Sequence, residues 1–228
     1  MLAVLYDIHG NLPALDAVLE DARAAGARRY LLGGDYALFG PNPAETVERL
    51  RSLEPVRWIR GNGERWTASP SDAPDDETVQ GAIRACREAL GQAVVDELAT
   101  LPESQTEADT RFVHGSPPSD VRSFLPEPAD DEGELLAGVA EGRLVFGHTH
   151  LQFRRRAPGG IELVNPGSVG MPFDGDPRAG WALLSEDGDI ELRRVPYDHE
   201  ASAAAVRERF PGFGETVARR IERSAFVS

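Results

Sequence analysis

The chain has 228 residues, 41% of them hydrophobic, with a formal net charge of −14 and a pI near 4.8. This describes one globular domain, residues 1–228, rather than a disordered chain. It makes long nucleic acids poor partners, because an acidic field repels phosphate backbones, while a small phosphorylated substrate stays admissible where metal cations dominate its site.

Residues 2–6 read as a buried strand. The chain runs straight into it without the layout of a signal peptide, so a cytoplasmic location is expected. Leu12, Leu15, Val18, Leu19 and Ala22 recur at helical spacing up to Gly26. Residues 30–32 form a second strand, residues 44–53 a helix entered through Pro43, and residues 56–59 a third strand. A long helical region, 77–101, breaks near Gly91 and carries Cys86, the single cysteine, read as a small buried hydrophobe. One cysteine rules out an intramolecular disulfide and a thiolate-built zinc site. Residues 111–113 and 144–146 are further strands, with a short helix, 134–140, between them.

After residue 150 the pattern turns to period two. Residues 152–156 and 161–164 flank "APGG", and 181–184 and 190–195 flank "SEDGD", as hairpins do. Helices over 201–210 and 215–223 follow. The order predicts an α/β protein with a largely parallel first sheet and an antiparallel, hairpin-built second part. Loops 69–76 and 116–132 read as solvated surface, the alternative being a mobile flap. The Arg154-Arg155-Arg156 run reads as a hairpin face balancing local acids, the alternative being a partner patch. No apolar run is long enough to span a membrane, so no membrane partner is expected. All 24 basic residues are arginine, which removes catalytic-lysine chemistry. Nothing in the sequence indicates an oligomeric state.

The polar residues concentrate at strand ends. Strand one ends in Asp7-Ile8-His9-Gly10-Asn11, strand two in Gly33-Gly34-Asp35, and strand three in Arg60-Gly61-Asn62-Gly63-Glu64. Strand four ends in His114-Gly115 and strand five in Gly147-His148-Thr149-His150. The carboxyl ends of parallel strands lie along one sheet edge, where ligands bind. Four of the five histidines fall there; His199 stands apart as a surface or capping residue. Asp7, His9, Asp35, Asn62, His114, His148 and His150 are too many ligands for one catalytic ion with an open position, and enough for two with one carboxylate bridging. The i, i+2 spacing of Asp7 with His9, and of His148 with His150, puts each pair on one side of an extended segment. The mixed N/O set suits Mn, Fe, Ni, Co or Zn over Mg or Ca, manganese being the first expectation.

The segments "DIHGN", "GGDYALFGPNP", "RGNGE", "FVHGSP" and "FGHTHLQF" resemble, in order, the motifs of the calcineurin-like metallophosphoesterases, in particular small single-domain bacterial phosphodiesterases. The resemblance implies two central mixed β-sheets flanked by helices, an αββα sandwich. It implies one metal on Asp7, His9 and His150, another on Asn62, His114 and His148, and Asp35 bridging. Asp35, Asn62 and His114 are the catalytic residues in this scheme. Arg60 and Arg65 flank Gly63 and are expected at the phosphate, the alternative being solvated or structural arginines, and Asn11 is expected at the substrate. The implied activity is hydrolysis of a small phosphodiester by a hydroxide bridging the metals. The alternatives are a phosphomonoesterase or serine/threonine protein phosphatase, and a catalytically weak scaffold of the same fold.

Two positions depart from the family pattern. Tyr6 stands where a serine is usual, and Gly63 where a histidine contacts phosphate or protonates the leaving group. A positioned general acid contributes about 10²–10⁴-fold. From sequence, Gly63→His is therefore expected to raise turnover on esters with poor leaving groups more than on nitrophenyl esters.

Overall fold

The computed structural model describes residues 1–227. Strand β1 (Leu2–Leu5) lies in a five-stranded sheet beside β2 (Arg29–Leu32) and β3 (Val56–Trp58), all three parallel. On the other side of β1 run β9 (Ala179–Leu184) and β10 (Ile190–Val195), an antiparallel hairpin. A second five-stranded sheet holds β5 (Thr110–Val113), β6 (Arg143–Val145) and β8 (Glu162–Asn165) in parallel. Its antiparallel edges are β4 (Ser104–Glu107) and β7 (Phe153–Arg156).

The expected hairpins exist, but they do not form a separate second part. Each adds to a sheet that already has parallel strands, because an isolated hairpin cannot bury both faces. The five ligand-bearing strand ends therefore fall on two sheets, not one.

Side-chain alternation explains the stacking. Along β1, Leu2 and Val4 point between the sheets, where they meet Leu31, Phe112, Val145 and Val164. Ala3 and Leu5 point outward to the helices α1 (Leu12–Ala24), α2 (Pro43–Arg51) and α4 (Glu77–Leu90). Both faces of β1 are buried, so it reads as a continuous apolar run. Tyr6 joins the inner cluster and donates from its hydroxyl to the Val145 carbonyl (3.2 Å), tying one sheet to the other. The outer face of the second sheet is covered by Phe124 and by α6 (Glu132–Leu135).

Helix α1 shows how local sequence sets an element. Asn11 caps it by accepting from Ala14 N–H, Pro13 occupies its first turn, and Gly26 ends the chain's turn at φ 86°. Gly91, at φ 73°, separates α4 from α5 (Gln92–Ala99). Cys86 is buried, and burial pushes its thiol up to about 12. The C-terminal pair, α7 (His199–Arg209) and α8 (Gly214–Arg223), packs around Met171. His199 lies in the first turn of α7, beside the capping residue Asp198.

A helix and an edge strand are among the elements without a counterpart in the sequence expectation. Helix α3 (Asn62–Ala68) begins inside what reads as a loop, and β4 is a polar edge strand with no apolar alternation. The helix expected over 134–140 is instead Glu132–Leu135, because the chain takes a positive φ at Gly138. Loop 116–132 is pinned rather than free: Phe124 is buried, Arg65 grips Asp120, and Arg155 pairs with Glu132. Arg154 pairs with Glu162, so the arginine run does balance local acids.

A candidate metal centre

Asp7, His9, Asp35, His148 and His150 all adopt left-handed backbone, with φ of 53°, 50°, 57°, 67° and 58°. The expected extended alternation is thus absent, and tight turns past the strand ends bring the side chains together. Such conformations cost about 1–2 kcal/mol each for residues with a Cβ, so the surroundings must impose them. They do so through a continued backbone ladder: Asp7 N–H donates to Gly34 O (3.2 Å), His9 N–H to Asp35 O (2.9 Å) and Gly10 N–H to Tyr36 O (2.8 Å). From the second sheet, His148 N–H donates to Asp7 Oδ2 (3.0 Å). Gly147 is required there, since a Cβ would lie 2.6 Å from the same oxygen.

Three histidines are oriented by backbone carbonyls. Nδ1 of His9 lies 3.0 Å from Leu38 O, Nδ1 of His114 2.9 Å from Gly33 O, and Nδ1 of His150 2.6 Å from Met171 O. Donation from Nδ1 leaves each Nε2 as a lone pair facing inward, as metal ligation needs. His150 is also stacked on Phe173, with centroids 4.4 Å apart.

These nitrogens surround Asp7 Oδ1, at 3.6 Å for His150, 3.9 Å for His114 and 4.0 Å for His9. Asp7 Oδ1 is buried and has no hydrogen-bond partner. Asp35 spans the set, with Oδ1 3.5 Å from His114 Nε2 and Oδ2 3.9 Å from His9 Nε2. The Asn62 carboxamide sits 2.9 Å from His114 Nε2 and 2.8 Å from His148 Nδ1. Turned one way it offers oxygen to an ion shared with those nitrogens; turned the other, its NH₂ donates to both rings.

The donor set fits divalent cations. Burial pushes the Asp7 carboxyl up to about 8 and the Asp35 carboxyl also upward, the second reinforced by Glu64. Burial drives the imidazoles of His9 and His148 down to about 3 and that of His150 well below its ordinary value. Neutral imidazole lone pairs, an orphaned carboxylate oxygen and buried acids that resist ionisation all gain from a positive charge between them. Two ligand groups are compact enough for one ion each: Asp7, His9 and His150, and Asp7, Asp35 and His114.

A stability profile follows. The unfolded chain protonates its histidines below pH ~6.5 and the fold does not, so stability falls as pH drops from there toward ~3. Asp7 acts oppositely: the fold retains a proton that the unfolded chain has lost, so stability declines as pH rises from ~4 to ~8. Between ~4 and ~6.5 the three histidines outnumber the two acids. The metal-free protein is therefore expected to melt highest near pH ~6.5. Mn²⁺ at about 100 times its Kd adds ~2.7 kcal/mol, or roughly 5–10 °C, and a fixed Mn²⁺ concentration adds more at pH 8.5 than at 6.5, because binding then displaces fewer protons. Thermal melts at pH 5, 6.5 and 8.5, with and without the metal, check this; a flat profile indifferent to metal refutes it.

The structure brings the seven expected ligand-type side chains into one cluster and leaves three expected substrate residues outside it. Asn11 is buried and fully engaged, donating to Gly170 O (2.8 Å) and Tyr197 Oη (3.3 Å) and accepting from Ala14 N–H and Ser202 Oγ. It is a helix cap, not a substrate contact. Arg60 and Arg65 line a neighbouring depression with His114, and both guanidiniums are taken: Arg60 pairs with Glu103, and Arg65 forks onto Asp120 at 2.7 and 2.7 Å.

Sequence reading missed Glu64 and Ser168. Glu64 accepts from the backbone N–H of Asp35 (2.9 Å), Tyr36 (2.9 Å) and Gly61 (2.8 Å), and so holds the turn that carries Asp35. The G-N-G-E spacing at a helix start, a capping-box pattern, is the signal that points to it. Ser168 donates to the Asp7 carbonyl (2.7 Å) and carries no recognisable signal.

Gly63 proves to be a close approach. Its N–H donates to Asp35 Oδ1 (2.7 Å), and a Cβ would stand 2.9 Å from that oxygen. A histidine here would push the Asp35 carboxylate aside. Gly63→His is thus expected to lower diester turnover and to raise the metal concentration needed for half-activation by about tenfold, contrary to the sequence expectation. Parallel metal titrations of both proteins decide; a gain in turnover at unchanged metal affinity would restore the missing-acid account.

Comparison with known proteins gives the family and the fold. The sequence profile of the calcineurin-like phosphoesterase superfamily domain matches residues 1–189. An uncharacterised protein of Methanocaldococcus jannaschii is 31% identical, over 92% of this chain and 94% of its own. Phosphodiesterase YfcE of Escherichia coli K12 is 29% identical, over 79% of this chain and 85% of its own. A crystal structure of a metallophosphoesterase from Sphaerobacter thermophilus superposes with a TM-score of 0.83 at 27% identity, covering 98% of each chain.

Proposed function

Given that the chain belongs to the calcineurin-like phosphoesterase superfamily, we propose that it hydrolyses small phosphodiesters at a dinuclear divalent-metal centre. The observation that carries this reading is the ring of inward-facing imidazole nitrogens around the orphaned oxygen of Asp7. His9 and His150 with Asp7 would hold one ion, His114, His148 and Asn62 the other, and Asp35 both. The ions, when bound, supply the charge that lowers the pKa of a water to make the nucleophile and neutralises the phosphoryl oxygens. The chain's own residues orient the rings through Nδ1, keep the imidazoles unprotonated, and shield the set from bulk water.

The choice of diester over monoester rests on the cavity above the cluster. Phe39 against His9, Phe173 against His150, and Trp66 line it, giving an ester substituent an apolar berth. YfcE, named a phosphodiesterase, points the same way. Among the described residues no helix is long and apolar enough to cross a membrane. We assign a soluble phosphate ester as substrate and the cytoplasm as the working location.

The test is hydrolysis of bis-p-nitrophenyl phosphate by metal-stripped protein titrated with Mn²⁺, Fe²⁺, Co²⁺, Ni²⁺ and Zn²⁺. Saturable, metal-dependent turnover, faster than on p-nitrophenyl phosphate, is the expected result. Turnover on neither ester with any of the metals would sink the reading.

A further inference from the structure

The cavity over the metal cluster has a volume of about 810 Å³, far more than one phosphate needs. Its floor is His9, Asp35, Asn62, His148 and His150, and one wall comes from Arg220 on α8 and Phe226 after it, beyond the 1–189 stretch that matches the family. A chain of contacts leads along that wall. Phe173 stacks on His150, Phe226 meets Phe173 edge-on at 5.8 Å, and the Arg220 guanidinium lies 4.4 Å from the Phe226 ring.

Arg220 is only 7% exposed, and its Nε donates to Val227 O (2.7 Å). Among the described residues no carboxylate lies within 4 Å of it, and Nη1 and Nη2 have no hydrogen-bond partner. Arg122, at the same cavity, is instead exposed and paired with Asp131 and Glu134. The carboxylate of Asp76, which lines the same cavity, favours the charge from beyond 4 Å, so the buried guanidinium has no anion in contact, which is costly. Burial holds the guanidinium below its ordinary value, and its charge reaches His9, which places it within electrostatic reach of the cluster.

We propose that Arg220 and Phe226 form a second subsite that selects phosphodiesters with a planar arm ending in a further anionic group, a phosphate or carboxylate. The scissile phosphate lies at the metal cluster, the planar arm runs along Phe173 and Phe226, and the distal anion meets the free edge of Arg220. This rests on the phosphodiesterase reading for the scissile phosphate, but the selectivity is separable from turnover.

A matched pair of diesters tests it: p-nitrophenyl phenyl phosphate and p-nitrophenyl 4-carboxyphenyl phosphate, which differ by one distal carboxylate. The Mn²⁺-loaded protein is expected to favour the carboxylated diester by about tenfold in kcat/KM, mostly through KM, since a charge-assisted hydrogen bond is at stake. Arg220→Gln should collapse that ratio to near one, and Arg220→Lys should restore part of it. Phe226→Ser, at a residue 69% exposed and so safe for the fold, should raise KM for both diesters. Calorimetric titration of the same pair on metal-free protein gives the affinity ratio without turnover. If the loaded protein hydrolyses neither diester, the calorimetric ratio alone judges Arg220, and the phosphodiesterase reading is decided separately by the metal series on bis-p-nitrophenyl phosphate. A carboxylate preference that Arg220→Gln erases upholds the subsite. Equal affinities in the parent protein, or a preference that survives Arg220→Gln, overturns it.

Discussion

Asp35→Asn is expected to lower metal-dependent diester hydrolysis by about 10³-fold or more while leaving the metal-free fold at least as stable as before. The catalytic loss comes from the ligand set. Asp35 offers one oxygen toward His114 and the other toward His9. An amide replaces one of them by an NH₂ donor facing the cations, and halves the negative charge that holds two ions close. The unharmed fold follows from burial, which raises the Asp35 carboxyl in the absence of metal. A neutral amide removes that cost, and its remaining oxygen can still accept from Gly63 N–H. Bis-p-nitrophenyl phosphate hydrolysis, a metal titration and a metal-free melt together read the outcome. Full activity in the variant would refute the placement of Asp35 between two ions. Lost activity with a lower metal-free melting temperature would assign Asp35 a structural role instead.

Glu64→Ala carries the largest expected loss of stability. The carboxylate satisfies three buried N–H groups at once, on Asp35, Tyr36 and Gly61. Orphaning a buried donor costs about 1–3 kcal/mol, and the three are coupled, so a total of roughly 3–5 kcal/mol is expected. For a chain of this size that corresponds to a fall of roughly 8–15 °C in Tm. Glu64→Gln keeps one acceptor oxygen and should lose less. The same change loosens the turn that carries Asp35, so metal affinity should fall with stability, which urea unfolding and a metal titration would show. A Glu64→Ala protein that keeps its stability would mean that water replaces the carboxylate at all three donors.

The two variants touch the same turn, since Glu64 accepts from the backbone N–H of Asp35, yet only one was visible before the fold was known. Asp35 stands out because a carboxylate after two glycines at a strand end is unusual. Glu64 does not, because an acid in a helix's first turn is common, and its partners on the loop after β2 lie 28 and 29 residues away. The same contrast runs through the site. His114 and His148 are recognisable by residue type beside glycine. Arg220 looks like any other surface arginine on an amphipathic helix, until the tertiary fold turns it into the cavity.

What the sequence alone determined is local. The period of apolar residues placed β1, α1, β2 and α2, and the breaks at Gly26 and Gly91 marked where helices end. Residue type and order set out the seven ligand-type side chains. The tertiary structure alone decided which strands share a sheet, that the hairpins add to both sheets, and that left-handed turns rather than extended alternation aim the ligands. It also decided that Asn11 is a cap, that Gly63 is a close approach, and which carbonyls orient the rings. The physical reason is range. Propensity and periodicity act within a few residues, whereas Asp7 meets His148 across 141 positions and His150 finds its carbonyl across 21. Such pairings exist only once two sheets bury their shared face and bring distant turns to one end.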